Sequence, residues 1–158
     1  MKKERPVPNK LFKKMMEESI PLHKFLGIEL LEMRKGYGKV RVPFREEVMG
    51  DIRIRRWHGG IIATVMDSVG GFATGTHLTS FKDKISTIDM RIDYYRGAKD
   101  TAIIVDGTVQ RIGSRTVFTK MCAWQEGSDE LLAEAKGCLL YTSPSPRDQR
   151  GSRMPSSA

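Results

Sequence analysis

Four residues near the middle of the chain have types and spacing suited to chemistry at a polarised bond. His58, Gly59 and Gly60 are consecutive, and Asp67 follows within an apolar stretch. Glycines at the start of a helix expose backbone N–H groups and the positive end of the helix dipole to a ligand oxygen. The pattern predicts a hole that stabilises negative charge on an oxygen. A glycine hinge before a buried helix is the alternative, and His58 either orients the ligand or caps the helix.

The carboxylate of Asp67 needs a physical reason for its position. It lies among apolar neighbours such as Val65 and Val69, where an ionised side chain is costly unless it is paired or reaches a polar cavity. An ionised carboxylate beside a carbonyl can activate water as a general base or attack the carbon itself. Pairing with an arginine or a backbone group is the structural alternative.

The spacing of His58 and Asp67 also predicts how the chain assembles. On one helix, nine positions correspond to roughly 13 to 14 Å along the axis and about half a turn around it. Both residues of one chain therefore cannot contact the same reacting group. A two-fold dimer resolves this, with the Gly60 end of one helix facing Asp67 of the other copy.

The elements that must position these residues can be read from hydrophobic periodicity. Over 58–76, the apolar side chains cover more than one stripe, which predicts a long helix buried on most sides. Alternating or β-branched residues predict a hairpin and a later meander of four strands: 28–33 and 38–44, then 85–95, 102–112, 116–125 and 130–137. A short amphipathic helix over about 9–19 should end before Pro21 and cover one end of the core. Together these elements describe an α+β domain whose antiparallel sheet wraps one long central helix.

Composition favours one globular domain and argues against a nucleic-acid partner. The chain has 158 residues and a formal net charge of +8, but its basic residues are interleaved with acidic ones. Only Arg53, Arg55 and Arg56 form a compact basic group, which suits a phosphate-bearing small ligand as well as DNA. No nucleic-acid-binding motif accompanies them.

Neither a membrane location nor a disulfide framework is expected. No apolar run approaches the roughly 20 residues needed to span a bilayer, and the basic N-terminus has no apolar stretch of signal-peptide type. The two cysteines, Cys122 and Cys138, have no partner pattern for a metal site and are predicted to be structural. The chain is therefore expected to be cytoplasmic and to need no metal.

The last 21 residues change character abruptly. From Cys138 to Ala158, Pro, Ser and Arg replace the periodic apolar pattern, and the stretch resembles an in-frame translation of a sequencing adapter. We therefore assign the domain to 1–137 and expect 138–158 to be an artefactual tail. Residues 138–141 are apolar enough to extend the strand that begins at Glu130, and everything after Ser143 is expected to be disordered.

The stretch HGGIIATVMD at 58–67 resembles the HGG-x6-D signature of hotdog thioesterases of the phenylacetate-pathway type. The segment 87–98 resembles the strand that follows the central helix of that family, and the resemblance extends over about 21–137. It implies a hotdog fold that hydrolyses an acyl-CoA to the free acid and CoA without a cofactor. It also implies homodimers, often paired into tetramers, with active sites shared between subunits.

The resemblance assigns further residues. Thr87 occupies the place of a hydroxyl that can hold the attacking water, although a threonine in a strand is often only a β-former. Relatives often have an amide six residues before the histidine, where this chain has Ile52, so Asp51 is the substitute. Arginine and lysine suit phosphate oxygens, and a solvated basic loop is the alternative. The candidates for the CoA phosphates are Arg53, Arg55, Arg56, Arg96 and Lys99.

The leading hypothesis is therefore acyl-CoA hydrolysis by a homo-oligomer. A hotdog module that binds acyl-CoA or an acylated partner without turning it over, as a sensor does, is the alternative. A hotdog dehydratase or hydratase ranks below both, because those enzymes pair an acid and a histidine in other motif contexts. Turnover of acyl-CoAs distinguishes the enzyme from the binding module.

Overall fold

The computed structural model describes residues 9–78 and 83–142 of the chain. The helices are α1 (Asn9–Lys14), α2 (Pro21–Leu26) and α3 (Gly59–Gly75), and a π-helical turn over Met15–Ser19 follows α1 directly. The strands are β1 (Glu29–Arg34), β2 (Tyr37–Val42), β3 (Met49–Asp51), β4 (Arg56–Trp57), β5 (Lys84–Tyr94), β6 (Ile103–Ile112), β7 (Thr116–Gln125) and β8 (Leu131–Thr142).

The long helix α3 forms the centre of the domain. Its Val65, Met66 and Val69 are fully buried, and it packs against β2, β5, β6 and β7. Burying each such side chain contributes about 1.5–3 kcal/mol, which explains why the apolar residues of α3 cover most of its circumference. The predicted central helix is confirmed, and its ends lie within one residue of the expected ones.

Six antiparallel strands wrap this helix in the order β1-β2-β6-β7-β8-β5. The α+β hotdog architecture expected from the resemblance is thereby confirmed. The predicted meander of four strands is wrong, because only β6, β7 and β8 follow one another in space. β5 pairs with β8 at the far edge, and β6 pairs with β2. Alternation within a strand fixes which side chains face the core but not which strand is its neighbour.

Both edge strands carry a β-bulge. The register of β1 shifts between Leu30 and Glu32, and the register of β5 shifts between Thr87 and Asp89. The extra residues, Leu31 and Ile88, are 51% and 57% exposed. A bulge adds one residue that takes no ladder position of its own. Counting by twos along the chain therefore predicts the wrong face for residues beyond the bulge.

The N-terminal segment is more structured than the sequence suggested. Pro21 does not stop the approach to the core but occupies the first turn of α2, where a missing N–H costs nothing. His23 of α2 is buried; its Nδ1 lies 2.9 Å from the Met16 carbonyl oxygen and its Nε2 lies 3.0 Å from Ser68 Oγ. These two contacts join the π-helical turn and α2 to α3.

The last strand crosses the boundary proposed from composition. β8 runs without interruption from Leu131 to Thr142 and buries Leu139. The expected extension of this strand into 138–141 is therefore observed. Residues 143–158, which contain the rest of the predicted tail, lie outside the described part of the chain.

Within residues 9–78 and 83–142, no helix combines the length and the apolarity that crossing a bilayer requires.

Candidate active site

The first turn of α3 is arranged around its capping residue, His58. The Gly60 N–H donates to His58 Nδ1 over 2.9 Å, and the Ile61 and Ile62 N–H groups donate to the His58 carbonyl oxygen. Among the residues that the structure describes, no partner accepts from the Gly59 N–H. Of the two glycines predicted to form the hole, Gly59 therefore presents the open donor, and Gly60 fixes His58.

A tyrosine that the sequence did not single out flanks this turn. Tyr94, at the end of β5, donates its hydroxyl to the Gly59 carbonyl oxygen over 2.7 Å. A side chain at Gly59 would begin 3.4 Å from the Tyr94 ring. Tyr94 shares its parity in β5 with Met90 and Ile92, which pack against the core. That parity was the available signal that Tyr94 faces the helix rather than the outside of the sheet.

Eight residues along α3 from Gly59, the carboxylate of Asp67 is partly buried and has a hydroxyl partner. Thr87 Oγ1 of β5 donates to Asp67 Oδ1 over 2.7 Å. The structure thus brings together the predicted acid and the predicted hydroxyl, and it places no arginine on this carboxylate among the described residues. Because the Thr87 hydroxyl binds Oδ1, Asp67 Oδ2 is left to accept a hydrogen bond from another donor.

The bulge at Ile88 is what turns Thr87 toward the helix. Met90 and Thr87 both face α3, although they are three residues apart and strand side chains alternate with a period of two. The extra residue at position 88 restores the parity. If Ile88 instead took a regular position in the ladder, Thr87 would lie three positions from Met90, its hydroxyl would point to the outer face of the sheet, and Asp67 would lose its partner.

Gly59 and Asp67 of one chain do not meet. Eight residues of α-helix separate them by about 12 Å along the axis. The candidate residues therefore form two separate groups, called half-sites below, one at the first turn of α3 and the other at Asp67 and Thr87. Each half-site is tied to β5, the first through Tyr94 and the second through Thr87.

The basic loop between β3 and β4 is largely committed to internal ion pairs. Asp51 accepts from the Arg53 backbone N–H and guanidinium, and this contact lowers the pKa of the carboxyl. Arg55 adopts a left-handed backbone conformation with φ 47° and binds Glu46 and Asp100. Asp51, Arg53 and Arg55 would have to exchange these partners to bind a ligand.

The remaining basic candidates lie nearer to the first turn of α3. Arg56 packs against Gly97, and the Arg96 guanidinium donates to the Leu131 carbonyl oxygen over 3.1 Å. The Lys99 backbone N–H donates to the Gln125 side chain, and the residue itself is exposed. These side chains keep donors available at the surface.

An open cavity of about 350 Å³ begins at Gly59. Trp57, Ile62 and Ala98 form its buried floor, whereas Tyr94, Tyr95 and Arg96 form its rim. An apolar floor with a cationic and aromatic rim suits a ligand that has both an apolar group and a charged one. The cavity adjoins the open N–H of Gly59.

Comparisons with known proteins show that the chain is similar to thioesterases and esterases. Residues 56–132 match the family described as Thioesterase superfamily. A proposed esterase of Saccharolobus solfataricus is 30% identical over 115 residues, which cover 72% of each chain. The medium/long-chain acyl-CoA thioesterase YigI of Escherichia coli is 23% identical over 124 residues, covering 71% of this chain and 80% of the relative.

A solved structure supports the same fold. It is a variant of the phenylacetic acid degradation protein PaaI from Thermus thermophilus, 21% identical with a TM-score of 0.67. The match covers 77% of this chain and 98% of that protein. At this identity the likeness concerns the fold.

Proposed function

Because the chain belongs to the thioesterase superfamily, we propose that it hydrolyses the thioester bond of an acyl-CoA, releasing the free acid and CoA. The observation that carries the proposal is the pairing of Asp67 with Thr87 on the helix whose first N–H, at Gly59, is open. An N–H donor for a carbonyl oxygen and a carboxylate for water are the two groups that ester hydrolysis requires.

In the proposed mechanism, the thioester carbonyl oxygen accepts from the Gly59 N–H and the carbonyl carbon becomes more electrophilic. Asp67, held by Thr87, takes a proton from water while the water oxygen bonds to that carbon. The tetrahedral intermediate then collapses, the carbon–sulfur bond breaks, and the proton passes to the departing CoA sulfur. The products are a carboxylic acid and a thiol, so atoms and electrons balance without a cofactor.

We further propose that two chains form each site through their β5 edges. Only β8 pairs with β5 within the described residues, so the outer edge of an eleven-residue strand is available for backbone pairing. Three large side chains on this strand or directly after it are at least half exposed: Ile88, Tyr94 and Tyr95. Edge-to-edge pairing of two copies would cover these residues and continue the sheet.

A two-fold axis near the middle of β5 gives the required juxtaposition. Antiparallel pairing with Arg91 opposite Arg91 of the second copy lays Tyr94 of one copy opposite Thr87 of the other, because the bulged Ile88 takes no ladder position of its own. Since Tyr94 binds Gly59 and Thr87 binds Asp67, the open N–H of one copy then approaches the carboxylate of the other. The two half-sites of each chain become two complete sites in the dimer.

We assign the CoA phosphates to Arg56, Arg96 and Lys99, because they lie around the cavity or next to its rim. Arg53 and Arg55 are weaker phosphate candidates, because they bind Asp51, Glu46 and Asp100 over 2.5–2.9 Å, whereas Arg96 lies 3.7 Å from its carboxylate neighbour Glu130. Asp51, the substitute for the amide of relatives, is bound by Arg53. A cytoplasmic location and the pairing of dimers into tetramers stay predictions.

The first test measures release of free thiol from a panel of acyl-CoAs by the wild type and by Asp67→Asn. Loss of the general base is expected to lower kcat roughly 10²–10⁴-fold while the dimer stays folded. Asp129→Asn, at an exposed turn, is the matched control and should retain activity. A wild type that binds acyl-CoA without turnover would instead identify an acyl-CoA-binding module.

A complementation experiment tests the sharing of sites. Asp67→Asn and Gly59→Val are each expected to be inactive, and each leaves one half-site intact. When the two are unfolded together and refolded as a mixture, half of the dimers are hybrids with one complete site. Activity should recover to about a quarter of wild type. No recovery from a well-folded mixture would place both groups in one chain.

A further inference from the structure

A relay of hydrogen bonds connects the Tyr94 hydroxyl to the imidazole of His58. Tyr94 donates to the Gly59 carbonyl oxygen over 2.7 Å. That carbonyl belongs to the same peptide group as the Gly60 N–H, which donates to His58 Nδ1 over 2.9 Å. One planar peptide group therefore lies between the two side chains.

The relay has a direction. A tyrosine hydroxyl that donates to a carbonyl oxygen polarises the peptide and strengthens its N–H as a donor. A strengthened Gly60 N–H requires His58 Nδ1 to be an acceptor, so the proton of the neutral ring must lie on Nε2. His58 is exposed, and its Nε2–H is then an additional donor on the residue that caps α3.

The ring of Tyr94 has a second effect on the same turn. Its Cε1 and Cζ atoms lie 3.4 and 3.5 Å from the position that a Gly59 side chain would take. The ring therefore closes one side of Gly59, and a carbonyl oxygen must approach its N–H from elsewhere. Burial of Tyr94 beside the helix also raises the pKa of its hydroxyl above its ordinary value.

We propose that Tyr94 is a positioning residue, which fixes the tautomer of His58 and the orientation of the Gly59 donor for the thioester carbonyl. This inference rests on the proposed function, but its structural half can be tested without substrate. Tyr94 acts through the Gly59–Gly60 peptide rather than on the substrate. Its effect should appear in kcat more than in KM.

The experiment compares Tyr94→Phe, which keeps the ring and removes the hydroxyl, with Tyr37→Phe. Tyr37 makes a tyrosine hydrogen bond of 3.2 Å to Asp106, in the same sheet but away from α3. Kinetics are measured on both variants, and ¹⁵N NMR of labelled histidines reports which ring nitrogen carries the proton. A His58→Gln spectrum identifies the His58 signals among those of the three histidines.

In the wild type, the His58 signals should show a protonated Nε2 and an accepting Nδ1. Tyr94→Phe is expected to give a mixture of tautomers and a kcat about ten-fold lower with KM changed less than two-fold. That loss is smaller than the 10²–10³-fold typical of removing an oxyanion donor itself. Tyr37→Phe should change neither quantity.

A Tyr94→Phe enzyme with kcat within two-fold of wild type, or with an unchanged His58 tautomer, would overturn the proposal. A wild type that hydrolyses no thioester would count against the proposed function alone. The tautomer comparison needs no substrate, so it would still decide the role of Tyr94.

Discussion

The two edges of the six-stranded sheet are built differently. β1 has six residues and β5 has eleven, and each has a bulge at an exposed apolar residue. The β1 edge is covered, because Glu17 in the π-helical turn accepts from the Leu30 N–H over 2.7 Å. No equivalent group reaches the outer edge of β5 from the described residues.

This difference indicates separate tasks for the two edges. A carboxylate that occupies a backbone N–H removes that donor from pairing with another chain, and a short bulged strand is a poor template. β5 offers a longer edge and also carries Thr87 and Tyr94, which contact the two half-sites. In the proposed dimer, the protected β1 edge keeps assembly on one side of the sheet, and a second copy pairs with the open β5 edge to complete the site.

The largest expected effect comes from placing a charge on the open edge. Ile88→Lys should convert the dimer to a monomer and reduce kcat at least about 100-fold, because the half-sites no longer meet and the carboxylate loses its opposing oxyanion donor. Light scattering and thiol release measure the two effects. Leu31→Lys, at the bulge of β1 with similar exposure, should leave both unchanged. Dissociation of both variants would remove the distinction between the edges.

A smaller effect is expected from uncovering β1. Glu17→Ala removes the acceptor from the Leu30 N–H and should lower the free energy of unfolding in urea by about 1–2 kcal/mol. The oligomeric state and kcat should stay as in the wild type. Glu18→Ala, at an exposed neighbouring position, is the control and should change stability by less than about 0.5 kcal/mol. A loss of activity in Glu17→Ala would show that the contact between Glu17 and β1 also supports the candidate site.

The smallest effect concerns the pH dependence of the N-terminal segment that covers β1, which His23 holds in place. Burial lowers the pKa of His23 from its ordinary value of 6.5, and the hydrogen bond to the Met16 carbonyl opposes this only in part. Below pH 6.5, the unfolded chain gains a proton that the folded chain does not yet bind. Stability should therefore fall as pH decreases through the window below 6.5.

Urea unfolding at a series of pH values measures this slope, and His23→Gln should flatten it. The hydrogen-exchange protection of 15–26 should decrease over the same window, while that of β5 should not follow it. A slope of the opposite sign would mean that the folded imidazole prefers to be charged, as a donor to both Met16 and Ser68.

The sequence predicted those features that local patterns determine. The bounds of α3 follow from its glycine start and its apolar content, and most strands follow from alternation. The position of β5 beyond β8 was missed, because strand order depends on long-range packing. Pro21 was read as a stop, although the same residue favours the first turn of a helix.

For the candidate site, the sequence supplied the residues that have a local signature. His58, Gly59, Gly60, Asp67 and Thr87 came from motif and resemblance, and the structure places them in two half-sites. It could not be foreseen that Gly60 would bind His58 and leave Gly59 open, because that choice depends on one side-chain rotamer. Tyr94 was missed because an aromatic side chain in a strand usually packs in the hydrophobic core.

The bulge at Ile88 has a consequence for how this gene can change. Deleting the codon at position 88 would close the bulge and leave Thr87 facing Asp67, because Thr87 and Asp89 already occupy adjacent ladder positions. One added codon between 87 and 90 would instead turn Thr87 to the outside of the sheet. A conservative codon substitution there leaves the count of residues, and hence the facing of Thr87, intact. Single-codon insertions in 87–90 should therefore be purged more strongly than conservative substitutions or loss of the codon at position 88.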